Sequence, residues 1–149
     1  MAIDREAALA LELPAHEVDV ERGALRFFAQ ATGERRAEYV DVDAARAAGH
    51  RDLPVPPTYY FSLELQSPEP FGFLDAIGVD LNTILHGEQT FEYVGTACAG
   101  DRLTLTPRIV DVVSKKGGAM ELVTKQTTVT DANGDVVARL GSVLVVRNR

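Results

Sequence analysis

A short and almost wholly apolar segment in the middle of the chain constrains the fold most. Residues 58–66 read Thr-Tyr-Tyr-Phe-Ser-Leu-Glu-Leu-Gln and lie between two groups of prolines. Proline is tolerated at the first position of a helix, where the amide has no partner anyway, and it ends a helix elsewhere. A helix that is apolar nearly all round is usually a buried one. We therefore predict a short buried helix from Thr58 to about Gln66, opened by Pro57.

Four long strand patterns fill the chain after this helix. Their runs of Val, Ile, Leu and Thr are typical of strands and cover residues 83–93, 103–113, 120–130 and 136–147. A turn at 114–119 and a two-residue hairpin turn at Asn133-Gly134 connect the last three. No helix alternates with these strands. The pattern therefore predicts an α+β fold, in which a long antiparallel sheet wraps around the central helix.

One short strand and two helices are predicted before the central helix. The strand covers residues 16–20, where polar and apolar residues alternate weakly. Asp19 is then the predicted cap of a helix whose apolar residues repeat at helical spacing up to about Thr32. A second, shorter helix covers 42–48. Residues 66–79 are interpreted as a connection inside one domain.

Length and charge limit the classes of function. The 149 residues suffice for one core and predict a single domain over 1–149. The net charge of -7 argues against nucleic acid as a partner. The N-terminus carries early acids, unlike a secretory signal, and no run approaches the ~20 apolar residues of a membrane span. The single cysteine, Cys98, excludes an intrachain disulfide and fits a cytoplasmic protein.

Four sequence strings, in this order and at this spacing, resemble the MaoC-like hydratase/dehydratase superfamily, in particular its N-terminal-domain branch. The strings are Phe28-Ala29-Gln30-Ala31-Thr32-Gly33, Pro54-Val55-Pro56-Pro57-Thr58, Leu85-His86-Gly87-Glu88-Gln89-Thr90-Phe91-Glu92-Tyr93 and Ala99-Gly100-Asp101-Arg102-Leu103. The resemblance covers nearly the whole chain. It implies a hot-dog fold, pairing with a second hot-dog fold as a homodimer or heterodimer, and a thioester ligand carried on CoA or acyl carrier protein.

The resemblance also implies a reaction and a motif. Active members hydrate trans-2-enoyl thioesters or dehydrate the 3-hydroxy form, using Asp-x-Asn-Pro-x-His after Ala-Thr-Gly. The carboxylate takes a proton from the attacking water, and the imidazole exchanges a proton at the α-carbon. In this chain Glu34 occupies the position of the Asp without a gap, Arg36 that of the Asn, and Tyr39 that of the His.

These replacements weaken the expected chemistry. Tyrosine, with an unperturbed pKa of about 10, is a poor proton shuttle near neutral pH. Glutamate adds a methylene, and a misplacement of about 1 Å can cost roughly a hundredfold in rate. Glu34 and Tyr39 nevertheless remain candidate catalytic residues. The alternatives are that Glu34 is a solvated loop acid and that Tyr39 packs against the short helix or lines an acyl pocket.

His86 is the third catalytic candidate. In the alternation of this strand it shares a polar face with Glu88, Thr90 and Glu92, away from the core, which favours a structural or interface role. The alternative is that His86 reaches a site at a dimer seam. The histidines and the cysteine have no metal-ligand spacing, so we expect no zinc or iron site and assign no cofactor.

The candidate substrate-binding residues are Pro57, Thr58, Tyr59 and Gly87. The family holds the enolate oxygen of its thioester with a backbone amide at the start of the central helix. Pro57 has no amide, so Thr58 is the donor expected there. Tyr59 either shapes an acyl tunnel or packs in the core, and Gly87 directly follows His86.

Three hypotheses about function follow. The first is a subunit of an (R)-specific enoyl-CoA hydratase or 3-hydroxyacyl dehydratase, a lyase of fatty acid metabolism, whose Asp and His come from a partner hot-dog chain. The second is a self-sufficient hydratase or thioesterase that uses Glu34 or His86. The third is a non-catalytic module that binds acyl thioesters. The fold alone does not separate them.

Overall fold

The computed structural model describes residues 2–148 and contains one five-stranded antiparallel sheet. The strands are β1 (His16–Asp19), β2 (Ile84–Tyr93), β3 (Arg102–Lys115), β4 (Met120–Thr130) and β5 (Val136–Arg147), and the helices are α1 (Arg5–Ala10), α2 (Arg22–Thr32), α3 (Val42–Ala47), α4 (Tyr59–Glu64) and α5 (Gly72–Ala76). The sheet order is β1-β3-β4-β5-β2. The predicted α+β class and the four long strands are confirmed. No helix within 2–148 is long and apolar enough to cross a membrane.

The central helix α4 is buried, as predicted, but it is shorter than the predicted segment. It begins at Tyr59 and ends at Glu64, and the amide of Leu65 still bonds to the carbonyl of Phe61. Tyr59, Tyr60 and Leu63 are all buried. The helix stops early because Pro68 and Pro70 follow within the next turn and cannot continue it.

A buried row of polar side chains divides the core into two apolar clusters. On β4, Val129 belongs to one cluster and Val123 to the other, and the buried Lys125 and Thr127 lie between them. On β5, the buried Ser142 separates Leu140 from Leu144 in the same way. The first cluster lies under α4 and α2, and the second includes residues of α1 and α5.

Asp19 does not cap the first long helix, so that prediction was wrong. Strand β1 extends through Asp19, which pairs with Arg102 of β3 and accepts a hydrogen bond from its guanidinium at 3.0 Å. The helix therefore begins later, at Arg22, with Glu21 before it and no side-chain cap. It ends at the predicted place, where Gly33 adopts the left-handed conformation with φ 72°.

The hairpin between β4 and β5 is not the predicted two-residue turn. Gly134 has a positive φ of 85°, but Asn133 does not. Asp131 instead accepts hydrogen bonds on one carboxylate oxygen from the amides of Asn133 and Asp135, at 2.9 and 3.0 Å. This side chain stabilises a longer loop, because an aspartate can replace backbone partners in a turn.

Candidate functional site

Glu34 follows α2 in an ion pair with Arg36. Arg36 donates to its carboxylate from the backbone amide at 3.0 Å, from Nε at 3.1 Å and from Nη2 at 2.8 Å. The left-handed Gly33 turns the chain there, and the amide of Glu34 bonds back to the carbonyl of Ala29 at 2.9 Å. Both ends of this short loop are therefore fixed.

The Arg36 contact makes Glu34 a poor base. The hydrogen bonds from Arg36, first from its side chain and then from its amide, lower the pKa of Glu34 to about 2. A general base works best with a pKa near the operating pH. The carboxylate is also occupied by its neighbour rather than free for a water molecule. In this structure, the Glu34 carboxylate is therefore the ion-pair partner of Arg36.

Tyr39 follows the loop that contains Glu34 and contacts the Arg36 guanidinium. It ends a short 3-10 helix, Ala37–Tyr39, and the Arg36 guanidinium lies 4.8 Å from its ring centre. Tyr93 stacks on Phe91 at 6.1 Å and approaches Tyr60 at 6.2 Å. Burial, and then the nearby Tyr39, raise the pKa of Tyr93. Tyr93 was not predicted as a site residue. The available signal was its alternation with Phe91, which places both side chains on one face of the strand.

His86 faces the central helix, so the prediction of a polar face away from the core was wrong. A bulge at Gly87 interrupts the alternation, because His86 pairs with Leu144 and Glu88 with Val143. The imidazole therefore lies on the same face as the buried Leu144, and its ring contacts Phe61 edge-on at 5.4 Å. A Cβ at Gly87 would lie 3.0 Å from the Val143 carbonyl oxygen, which explains the glycine there.

The structure does not bring the three catalytic candidates together within one chain. Arg36 contacts both Glu34 and Tyr39, whereas the ring of His86 contacts Phe61 of α4. Among residues 2–148, the partner of the Glu34 carboxylate is therefore Arg36 and not His86.

The start of α4 contains three of the four substrate-binding candidates. Pro57 and Thr58 are exposed, and the amide of Thr58 makes no hydrogen bond within the described part of the chain. Tyr59 packs edge-on against Phe28 of α2 with ring centres 5.0 Å apart, and burial raises its pKa. Thr58 therefore presents a donor to solvent, whereas Tyr59 is a core residue in the isolated chain.

A buried ion pair at the other end of α4 was also missed. Glu64 accepts hydrogen bonds from Lys125 and Thr127 of β4 at 2.5 Å each. Two signals in the sequence pointed to it: an acid between two leucines of an apolar helix, and a lysine on the apolar face of a strand. Residues 2–148 contain no group of three or more His, Cys, Asp or Glu that could hold a metal ion.

Solved structures with the same architecture identify the fold. The chain superimposes on the HadBC (3R-hydroxyacyl-ACP dehydratase) complex from Mycobacterium tuberculosis with a TM-score of 0.78 and 23% identity, covering 90% of this chain and 92% of that one. A MaoC-like dehydratase gives a TM-score of 0.80 and 23% identity, with 95% of this chain on 44% of that one. These likenesses show the hot-dog fold of MaoC-like dehydratases, as the sequence strings implied.

Sequence relatives then define the family. The model of the FAS1-like, dehydratase domain region matches residues 9–140. A UPF0336 protein of Streptomyces griseus is 36% identical over 147 residues, which are 99% of this chain and 97% of that protein. A UPF0336 protein of Leifsonia xyli is 38% identical over 128 residues, or 86% and 85% of the two chains. The chain belongs to the FAS1-like dehydratase-region family, together with these UPF0336 proteins.

Proposed function

We propose that this chain is the acyl-thioester-binding subunit of an (R)-specific enoyl-thioester hydratase or 3-hydroxyacyl dehydratase, and that a partner hot-dog chain supplies the Asp and His. The observation that carries the proposal is the ion pair between Arg36 and Glu34. The family normally has a free base at this position. Here the position holds a carboxylate whose pKa is lowered to about 2. Tyr39 at the histidine position supplies no imidazole to compensate.

The free edge of the sheet at β2 supports the proposal that a partner hot-dog chain pairs with this one. Strand β2 has ten residues, and β5 is the one strand that pairs with it among residues 2–148. An unpaired edge of this length is a site for pairing with another chain. Leu85 and Tyr93 are also about half exposed, at 51% and 49%, as is Val94 just after the strand. A second hot-dog strand along β2 would extend the sheet and cover these apolar side chains. The HadBC and ChsH1-ChsH2 structures, which share this fold, are complexes.

The residues at the start of α4 support the proposal that the chain binds a thioester. Thr58 has a free amide there, and the family uses an amide at this position to hold the developing enolate oxygen. The aromatic group of Tyr60, Phe91 and Tyr93 provides an apolar wall at the Tyr93 end of β2. In this proposal the chain binds and orients the acyl thioester on CoA or acyl carrier protein, and the partner carries out the proton transfers. The buried Cys98 fits a reducing compartment, and a cytoplasmic location stays a prediction.

The test is an assay of hydration of trans-2-enoyl-CoA with three samples. These are the pure chain, a partner hot-dog chain that retains Asp-x-Asn-Pro-x-His, and the two chains coexpressed. We expect negligible turnover by the pure chain and strong turnover by the complex. A matched complex that carries Thr58→Pro, which removes the amide, should turn over much more slowly.

Other outcomes would identify the alternatives. Strong hydration by the pure chain that is lost in His86→Ala or Glu34→Gln would overturn the proposal in favour of a self-sufficient enzyme. Thioester hydrolysis without hydration would indicate a thioesterase. Saturable binding of acyl-CoA with no turnover in any combination would indicate a non-catalytic binding module.

A further inference from the structure

The outer face of the sheet carries an apolar row that belongs to neither core cluster. It consists of four cross-strand partners, one from each long strand: Val113, Leu122, Val145 and Leu85. Successive residues of a strand point to opposite faces, and Leu122 directly precedes the buried Val123. Because cross-strand partners share a face, the whole row points away from α4. We call this row the outer stripe.

Towards the other end of the strands, the same outer face is polar. Two rows there consist of Arg108, Gln126, Gly141 and Thr90, and of Thr106, Thr128, Arg139 and Glu92. Polar residues are normal on the solvated face of an antiparallel sheet. The outer stripe departs from that pattern, since Leu85 is 51% exposed and the other three members are partly exposed. A continuous apolar row with a polar border is typical of a contact with another protein.

Charges of opposite sign border the outer stripe on its two sides. The exposed Lys115 and Arg147 lie one row towards the turn between β3 and β4, whereas Asp111 and Glu88 lie one row towards the other end. Asp111 accepts a hydrogen bond from Arg5 at 3.0 Å, and its side chain is still 42% exposed. The other three take part in none of the ion pairs within residues 2–148. The stripe therefore has a basic side and an acidic side.

On β3 the two signs are placed symmetrically about the stripe. Lys115 and Asp111 lie two residues to either side of Val113, on the same face. A twofold axis along the stripe lays one sheet face down on another and exchanges the two ends of each strand. Lys115 of each copy then lies over Asp111 of the other, and stripe lies on stripe. An axis along the strands would place basic side on basic side, so the charges favour the first arrangement.

We propose that the outer stripe is the contact between two copies of this chain, packed sheet against sheet about this twofold axis. Aligned sheets pack in this way in β-sandwiches, where side chains of the two faces interdigitate. The contact does not rest on the proposed function, and it leaves the backbone edge of β2 free for a partner hot-dog chain. In a complex with such a partner, it would join two complexes into an assembly of four chains.

Sedimentation velocity of the whole chain over a concentration series measures this contact. We expect a reversible dimer with a dissociation constant below about 100 µM, the weak affinity typical of a small interface. Leu122→Lys should weaken the dimer at least about tenfold, because it places a charge without a partner at the centre of the contact. Thr128→Lys is the matched control, since it puts the same charge on the same strand and face but in the polar part. Circular dichroism checks that both variants are folded.

A charge exchange tests the twofold axis without altering the apolar row. Lys115→Glu and Asp111→Lys each place like charges opposite one another, so each variant alone should dimerise at least about tenfold more weakly than the unaltered chain. In an equimolar mixture, the new acid of one variant faces the new base of the other, and the retained Asp111 faces the retained Lys115. The mixture should therefore recover most of the lost association.

The proposal is overturned if the chain stays monomeric throughout the series, if Leu122→Lys and Thr128→Lys dimerise equally, or if mixing the two charge variants recovers nothing. A dimer that none of these variants weakens would assign self-association to the β2 edge, since β4 and β5 separate β3 from β2. That result would overturn the outer-stripe contact and leave the proposed function as it stands.

Discussion

Arg36 donates three hydrogen bonds to the carboxylate of Glu34, two residues before it, from its backbone amide, Nε and Nη2. The contact is local and exposed on the Arg36 side. Its main consequence is the lowered pKa of Glu34, and this can be tested without a partner.

Arg36→Ala should raise the pKa of Glu34 from about 2 towards the ordinary value, because the side-chain hydrogen bonds from Arg36 are the main cause of the lowering. A carboxyl with a depressed pKa contributes stability at higher pH and loses it as the pH falls through the depressed value. The Arg36 contribution should therefore disappear between about pH 4.3 and pH 2. NMR titration of the Glu34 side-chain carbon measures this, and Arg35→Ala is the matched control. An unchanged Glu34 pKa in Arg36→Ala would contradict the assignment.

Gly87→Ala should destabilise the fold by about 1–3 kcal/mol, the usual cost of overpacking. The added Cβ would lie 3.0 Å from both the Val143 carbonyl oxygen and a Val145 methyl group. Gly95→Ala is the control, because its Cβ would meet nothing closer than 3.8 Å. Urea denaturation gives both free energies of unfolding. Equal values for the two variants would mean that the bulge tolerates a side chain.

Lys125→Met should cost about 3–5 kcal/mol in the free energy of unfolding, because it leaves the Glu64 carboxylate buried without a counter-ion. The double variant with Glu64→Gln should recover much of that loss, since it removes the unpaired charge as well. A double-mutant cycle in urea measures the coupling. If the single and double variants are equally stable, Glu64 is not charged and paired as the structure has it.

Leu85→Asp should weaken assembly with a partner hot-dog chain at least about tenfold, because it places an uncompensated charge beside the proposed interface. Leu85 is exposed in the isolated chain, so the variant should fold normally. Phe71→Asp, an equally drastic change at an exposed residue outside β2, is the control. The dissociation constant of the complex is the measurement. If Phe71→Asp weakens assembly and Leu85→Asp does not, the interface does not lie along β2.

The sheet was predictable from the sequence, whereas the details of the sites were not. Long alternating runs gave β3, β4 and β5 to within two residues at each end, because one face of each is buried. Helices α1 and α5, of six and five residues, were missed, whereas the equally short α4 was predicted because prolines bound its apolar run on both sides. The replacement of the family's motif by Glu34 and Tyr39 was visible in the sequence. The ion pair between Glu34 and Arg36 depends on how the loop after Gly33 folds.

His86 shows where pattern reasoning fails. Period-two alternation assigns a face only while the strand is regular, and one extra residue at Gly87 exchanges the faces. The glycine itself was a visible signal, because a glycine inside a strand often marks a bulge. The prediction of the His86 face treated the strand as unbroken.

The polar row across the core also fixes how the central helix is aligned on the sheet. Apolar side chains alone would allow α4 to slide or rotate, because one leucine can replace another in a contact with valine. Glu64 meets Lys125 and Thr127 in one position only, and a shift of one residue would place Leu63 or Leu65 over the ammonium. We infer that the pair selects a single alignment of helix and sheet, in the way that a buried polar residue fixes the register of a coiled coil.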